Sequence, residues 1–150
     1  DRLGLRDHVT LCTDFLSDND SFARLAVSDL LVFAYGPTSE SASGAARQAL
    51  AVGRPVAVTP LPIFDDIGGL VHRLPGYEAS DLATGLAEMV VALREGDPEG
   101  CFAQTQARAD AWRATHGYDV LGERLWHILN GVMIAFLFQG LLRSPAAPPN

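Results

Sequence analysis

The chain has 150 residues and a formal net charge of −7, and all 11 of its basic side chains are Arg. A nucleic-acid-binding protein normally concentrates positive charge on one surface, whereas these Arg residues are scattered, so the composition argues against nucleic acid as a partner. The two cysteines, Cys12 and Cys101, match neither a disulfide framework nor a zinc spacing, which predicts a single cytoplasmic domain rather than a secreted one.

The first third of the chain alternates between strand and helix patterns. Residues 8–16 form an apolar run typical of a strand, and the polar "SDND" that follows leads into a short helical pattern over 21–27. Residues 29–35, "DLLVFAY", are apolar with almost no alternation. That run predicts a strand buried on both faces, as in a parallel sheet covered by helices.

A helix with one apolar face is predicted next. Its apolar positions recur at helical spacing on one side: Ala42, Ala45, Ala46, Ala49 and Leu50. Gly53 ends this helix, and "RPVAVTP" at 54–60 supplies another strand.

The same alternation continues to about residue 94. A short strand at 70–74 precedes a helix at 80–94, with Ser80 as the expected N-cap and Gly96 after its end. Alternating strands and helices predict a Rossmann-like, three-layer α/β/α domain with a mostly parallel sheet. Ligands of such sheets bind beyond the carboxyl ends of the strands, where "GPTSESASG" at 36–44 is placed.

The last third predicts a helical extension without strands. Residues 101–142 favour two or three helices, and the "SPAAPPN" tail is expected to be disordered. Residues 125–142 are strongly apolar, at the lower edge of the length that spans a membrane, but they include His127, Asn130 and Gln139. This segment is expected to dock on a further domain, lie on a membrane surface or pair with a second copy.

The segment "DLLVFAYGPTSESASGAARQALAVGRPVAVTPLPIFDD" resembles the C-terminal, donor-binding domain of glycosyltransferases with the two-Rossmann-domain GT-B architecture. It is most similar to family 4, whose members are retaining transferases that use nucleotide-activated sugars. The resemblance begins at "LGLRDHVTL" and extends through "RADAWRATHGYDVLGERL" to about residue 130. Residues 1–130 are thus expected to form the donor-binding domain, and 131–150 the end of an apolar helix and a Pro/Ala tail.

The resemblance implies that the chain is a fragment. A complete donor domain of this family has two further βα units, which carry the Arg and Lys that meet the pyrophosphate, and it follows an N-terminal acceptor domain. The chain begins at what would be the third strand, so it is expected to be inactive alone and to have the missing N-terminal domain as a partner.

The resemblance also assigns roles to two side chains. Family members carry a Glu, seven residues and a second Glu, and this chain has Glu40, "SASGAAR" and Gln48. The first Glu contacts hydroxyls of the transferred sugar, which makes Glu40 the expected catalytic residue. The second accepts hydrogen bonds from the ribose, and Gln48 keeps an acceptor there without the charge. Thr38 belongs to the same family loop and is expected to line the donor site.

Helix geometry extends this hypothesis to neighbouring residues. With Glu40 at the helix entrance, Arg47 and Gln48 lie opposite the alanine face, and small residues let a diphosphate approach the helix N-terminus. These small residues are Ser41, Ala42, Ser43 and Gly44. The simpler alternative is that Ser39 or Ser41 is an N-cap and Glu40 a first-turn acid favoured by the helix dipole. Arg47 is expected to reach the phosphate, to pair with Glu40 or to remain solvated.

The other candidate site residues have weaker functional signals. Asp65 and Asp66 follow a strand end and are expected at the cleft, as donor or acceptor contacts or as solvated loop acids. "DND" at 18–20 has a metal-binding form but is also typical of a turn that caps a helix. The four His residues show no metal spacing. The resemblance implies a nucleotide-sugar donor as substrate, with no obligatory metal and no other cofactor.

Two functions remain open from the sequence. The first is transfer of a hexose-type sugar from a nucleotide-sugar onto a glycan or lipid-linked acceptor with retention, as in polysaccharide biosynthesis. The second is a degenerate, non-catalytic transferase module used for scaffolding or partner binding.

Overall fold

The computed structural model describes residues 4–97 and 100–142, with no side-chain description of Tyr118 and 135–142. A short 3-10 turn at Arg6–His8 comes first. The helices and strands that follow are α1 (Asp18–Ala26), β1 (Leu31–Phe33), α2 (Gly44–Val52), β2 (Val56–Val58), a 3-10 segment (Pro62–Ile67), β3 (His72–Arg73), α3 (Ala79–Glu95), α4 (Cys101–His116) and α5 (Tyr118–Leu142).

The three strands form one parallel sheet in the order β1-β2-β3. Leu31 of β1 is paired with Val56 of β2, and Ala57 of β2 with His72 of β3. Each parallel pair is joined by a crossover, which is α2 for the first pair and the 3-10 segment for the second. The prediction of a mixed α/β fold with a parallel sheet is thus confirmed.

The central strand β2 is buried on both faces. Val56 and Val58 pack in a cluster that includes Ala49 and Leu50 of α2, whereas Ala57 packs in a second cluster with Met89 of α3. Successive residues of a strand point to opposite faces, so the unbroken apolar sequence of β2 follows from helices lying on both sides. A strand with one solvated face would have required polar residues at every second position.

Helix α2 has distinct start and stop residues. The Ser43 hydroxyl accepts a hydrogen bond from the Ala46 N–H at 3.2 Å, and a cap of this kind contributes about 1 kcal/mol. At the other end Gly53 adopts the left-handed conformation with φ 79°, which a residue with a Cβ rarely adopts. The guanidinium of Arg113 from α4 occupies the place that a Cβ of Gly53 would fill.

The prediction of a strand at 8–16 is wrong. These residues contain no strand, and most of their apolar side chains are solvent-exposed, with Leu11 at 84% and Phe15 at 100%. An apolar run becomes a strand only where it can pair with a sheet edge and bury its side chains, and this one has neither form of support among the described residues.

Helix boundaries differ from the predictions in smaller ways. The N-cap of α3 is Glu78 rather than Ser80, because Glu78 and Asp81 form a reciprocal capping box. The "DND" residues 18–20 form the first turn of α1 behind the Ser17 cap, which is the helix-capping alternative. The last third contains two helices among its described residues, and the predicted tail 144–150 lies outside them.

No helix in the described parts of the chain combines the length and hydropathy needed to cross a bilayer.

One histidine in the sheet has a shifted ionisation. His72 of β3 is half-buried, and its ring stacks on Phe102 of α4 with centroids 4.4 Å apart. Burial lowers the pKa of His72 below its usual 6.5, and the negative charge of Asp97 opposes that shift in part. The neutral ring is therefore the form that the fold favours.

Because the pKa of His72 is lower in the folded chain, the unfolded chain binds more protons near pH 6. We expect the His72 contribution to stability to be complete above pH 6.5 and to be lost as the pH falls below 6.5 towards the folded pKa. The free energy of unfolding, measured in urea, should fall less between about pH 7.5 and about pH 5.5 for His72→Gln than for the wild type. The exposed His127→Gln is the control and should match the wild type.

Candidate functional site

The predicted site residues follow the carboxyl ends of the parallel strands. The loop 34–43 leaves β1, and the 3-10 segment with Asp65 and Asp66 lies in the connection that leaves β2. Since parallel strands end on the same edge of a sheet, both connections lie on one edge. The site described below is this carboxyl edge.

Tyr35 and Thr59 form the base of the carboxyl edge. The Thr59 hydroxyl donates to the Tyr35 carbonyl at 2.9 Å, and the Thr59 N–H donates to the Phe33 carbonyl. The Tyr35 ring packs on Phe64, with centroids 5.4 Å apart, and its hydroxyl lies 3.4 Å from the Ser43 hydroxyl. Tyr35 and Thr59 thus connect the segments that follow β1 and β2, and Tyr35 also approaches the start of α2; the sequence analysis singled out neither residue.

Glu40 does not lie at the helix entrance. Helix α2 begins at Gly44 behind Ser43, so Glu40 lies in the preceding loop, where its N–H donates to the Thr38 hydroxyl at 3.2 Å. Its side chain is exposed, as are Ser41 and Ala42. The N-cap is therefore Ser43, and neither Ser39 nor Ser41 has that role. Ser43 differs from the other predicted small residues in being buried.

Arg47 is held by groups from two elements. One guanidinium nitrogen donates to the Ser43 carbonyl at 2.9 Å, and another forms an ion pair with Asp66. Neighbouring Asp65 pairs with Arg73 at the end of β3, at 2.7 Å. Each of the four side chains is at least a third exposed, so each pair contributes no more than about 1 kcal/mol.

The sequence analysis considered Glu40 as the partner of Arg47, whereas the structure places Asp66 there. The two acids Asp65 and Asp66 thus connect α2 to the end of β3 across the edge of the sheet. Arg73 was not predicted to belong to the site. The sequence signal for a second basic residue at this edge was the pair of adjacent acids after one strand, because each acid can form an ion pair with a different basic residue.

Gln48 faces a different neighbour from Arg47. It lines a small cavity of about 30 Å³ against α1, together with Asp18, Ser21, Phe22 and Leu25. Helix geometry turns consecutive residues by about 100°, so Arg47 can meet Asp66 while Gln48 meets α1. The two side chains therefore flank the α2 entrance rather than facing one common neighbour.

The first turn of α2 has unpaired amide groups and open space beside it. The Ser43 hydroxyl satisfies the Ala46 N–H, which leaves Gly44 and Ala45 without an intrahelical acceptor. Apart from its chain neighbours and the backbone of its own helix, no described atom lies within 4 Å of the place where a Gly44 side chain would begin. The N-terminus of a helix carries a partial positive charge, so the start of α2 can bind an anion.

Another cavity lies elsewhere, near the amino ends of β1 and β2. It measures about 520 Å³ and is lined by apolar side chains together with Asp29, Arg54 and Arg94. None of the predicted site residues lines it. No group of three or more His, Cys, Asp or Glu side chains among the described residues is arranged to hold a metal ion.

No protein-family model matches the chain, and neither a curated protein nor a solved structure is significantly similar to it.

Proposed function

We propose that the chain is the donor-binding domain of a family 4-like, retaining GT-B glycosyltransferase with a Rossmann-like, three-layer α/β/α arrangement. The observation that carries this proposal is the position of the Glu40 loop and the α2 entrance at the carboxyl edge of a parallel sheet. Binding at that edge is the general rule for open α/β sheets. The covering of β2 on both faces also fits such a domain.

Within this proposal the donor lies across the α2 entrance. The Gly44 and Ala45 amides and Arg47 bind the diphosphate, and Glu40 accepts hydrogen bonds from sugar hydroxyls. Gln48 accepts from the ribose. Catalysis is then electrostatic, because groups that bind phosphate stabilise the departing nucleotide while Glu40 orients the sugar. The acceptor, a glycan or a lipid-linked sugar, is bound by a domain outside this chain, and the proposal requires no metal.

A second candidate is a non-catalytic module that binds a protein partner. It is favoured by the Arg47–Asp66 ion pair, since a carboxylate already occupies the guanidinium that a phosphate would need. Gln48 in place of an acid, and its position against α1, also favour it.

Titration of the chain with UDP-, GDP- and ADP-sugars, followed by thermal unfolding, separates the two candidates. A ligand at 100 times its Kd is expected to stabilise the native state by about 2.7 kcal/mol. Arg47→Gln should weaken that effect, and Arg108→Gln, an exposed Arg on α4, is the matched control. Unchanged stability with all three classes of nucleotide-sugar would exclude donor binding by these residues alone and favour the non-catalytic module, and the same result with two further βα units added before Asp1 would exclude the glycosyltransferase.

A further inference from the structure

Helix α5 exposes more apolar surface than any other described element. It has 25 residues, which corresponds to a length of about 37 Å. Its main contacts within the described chain are with α4, which precedes it across Gly117. The exposed large apolar side chains of its described part are Leu121, Leu125, Trp126, Ile128, Leu129, Val132, Met133 and Ile134.

Four of these side chains recur with the spacing of a coiled-coil seam. Leu121, Leu125, Ile128 and Val132 are separated by four, three and four residues, which places them along one stripe of the helix. Their exposed fractions are 44–62%, so this stripe is not the surface by which α5 contacts α4. We call these four residues the α5 seam. A seam of this spacing is complementary to another helix with the same repeat.

The composition of α5 permits a second copy to approach the seam. No Asp, Glu, Lys or Arg occurs in residues 125–142, so two copies of this segment meet without like-charge repulsion despite the net charge of −7. Apart from the neighbouring residues and backbone of α5 itself, no described atom lies within 4 Å of a Cβ built on Gly122 or Gly131, which lets a second helix approach.

The charges of α5 argue against a membrane surface as the occupant. Helices that lie in a bilayer interface carry a polar face rich in Lys and Arg. The charged residues of α5 are Asp119, Glu123 and Arg124, with more negative than positive charge. An anionic bilayer would therefore repel this helix rather than attract it.

We propose that the chain forms a homodimer in which the α5 seam of one copy packs against the α5 seam of a second copy. The interface is isologous, because each copy presents the same four residues to the other. It is independent of nucleotide-sugar binding, since the seam residues do not belong to the carboxyl edge.

Analytical ultracentrifugation of the full chain tests this proposal, with the mass in solution measured over a range of protein concentrations. The wild type is expected to sediment as two chains, and Leu125→Glu with Ile128→Glu as one chain with unchanged circular dichroism. Val91→Glu is the matched control, because Val91 is an exposed apolar residue of a different helix, and it should remain dimeric. The milder Ile128→Asn should raise the dimer Kd at least tenfold without risk to the core.

Three results would overturn the proposal. The first is a wild type that sediments as a single chain at all concentrations. The second is a dimer that the seam variants leave intact. The third is a monomer that co-sediments with vesicles of phosphatidylcholine and phosphatidylserine. The last result would assign the seam to a bilayer instead of a second copy.

Discussion

Phe64→Ala is expected to lower the free energy of unfolding by about 3–5 kcal/mol, which is a large part of the total stability of a domain of this size. Phe64 is fully buried in the cluster that α2 forms with β1 and β2. Its ring also supports Tyr35, whose hydroxyl approaches the Ser43 cap. Removal of the ring leaves a cavity in the core and withdraws support from the base of the carboxyl edge.

Phe15→Ala is the natural control, because the same atoms are removed from a side chain that is completely exposed. Its effect should stay within about 0.5 kcal/mol. Urea unfolding followed by circular dichroism measures both changes. Equal losses for the two variants would mean that Phe64 is not part of a packed core.

Glu40→Gln is expected to weaken the binding of a nucleotide-sugar by about tenfold or more while leaving the binding of the free nucleoside diphosphate unchanged. A hydrogen bond to a charged group contributes about 1.5–3 kcal/mol, and Gln offers a neutral acceptor in nearly the same shape. This expectation rests on the proposed contact between Glu40 and the sugar hydroxyls. Since Glu40 is exposed in a loop, its replacement should leave the stability of the chain unaltered.

Isothermal titration with matched pairs, such as UDP-glucose and UDP, measures that difference directly. Glu88→Gln, an exposed acid on α3, controls for the loss of one negative charge. Equal weakening of nucleotide and nucleotide-sugar would remove Glu40 from the sugar end of the site. In that case its effect would be a general change in charge near the diphosphate.

The parallel sheet was predictable because its first two strands lie in unbroken apolar runs. Residues 31–33 and 56–58 contain no polar residue, and Gly53 marks the end of the intervening helix. These signals are local, and the pairing of neighbouring βα units follows from the usual right-handed connection. The segment 8–16 also has a strand-like sequence but has no strand to pair with among the described residues, and periodicity alone does not report the presence of a partner.

The candidate site was predicted in position but not in detail. The edge of the sheet follows from the strand pattern, whereas the start of α2 is set by Ser43 as its N-cap, whose hydroxyl lies 3.4 Å from the Tyr35 hydroxyl in the folded chain. The Arg47–Asp66 pair joins residues from different connections, and many carboxylates were available to Arg47 in the sequence. Such choices depend on tertiary distances, so propensity and spacing could not identify them.

The order of the strands in the sheet also bears on how quickly the chain acquires its structure. Each strand is paired with its neighbour in sequence, as in Leu31 with Val56 and Ala57 with His72, so no strand pairing joins the two ends of the chain. Folding rates rise when contacting residues are near in sequence. The segment from β1 to β3 is therefore expected to form the folding nucleus.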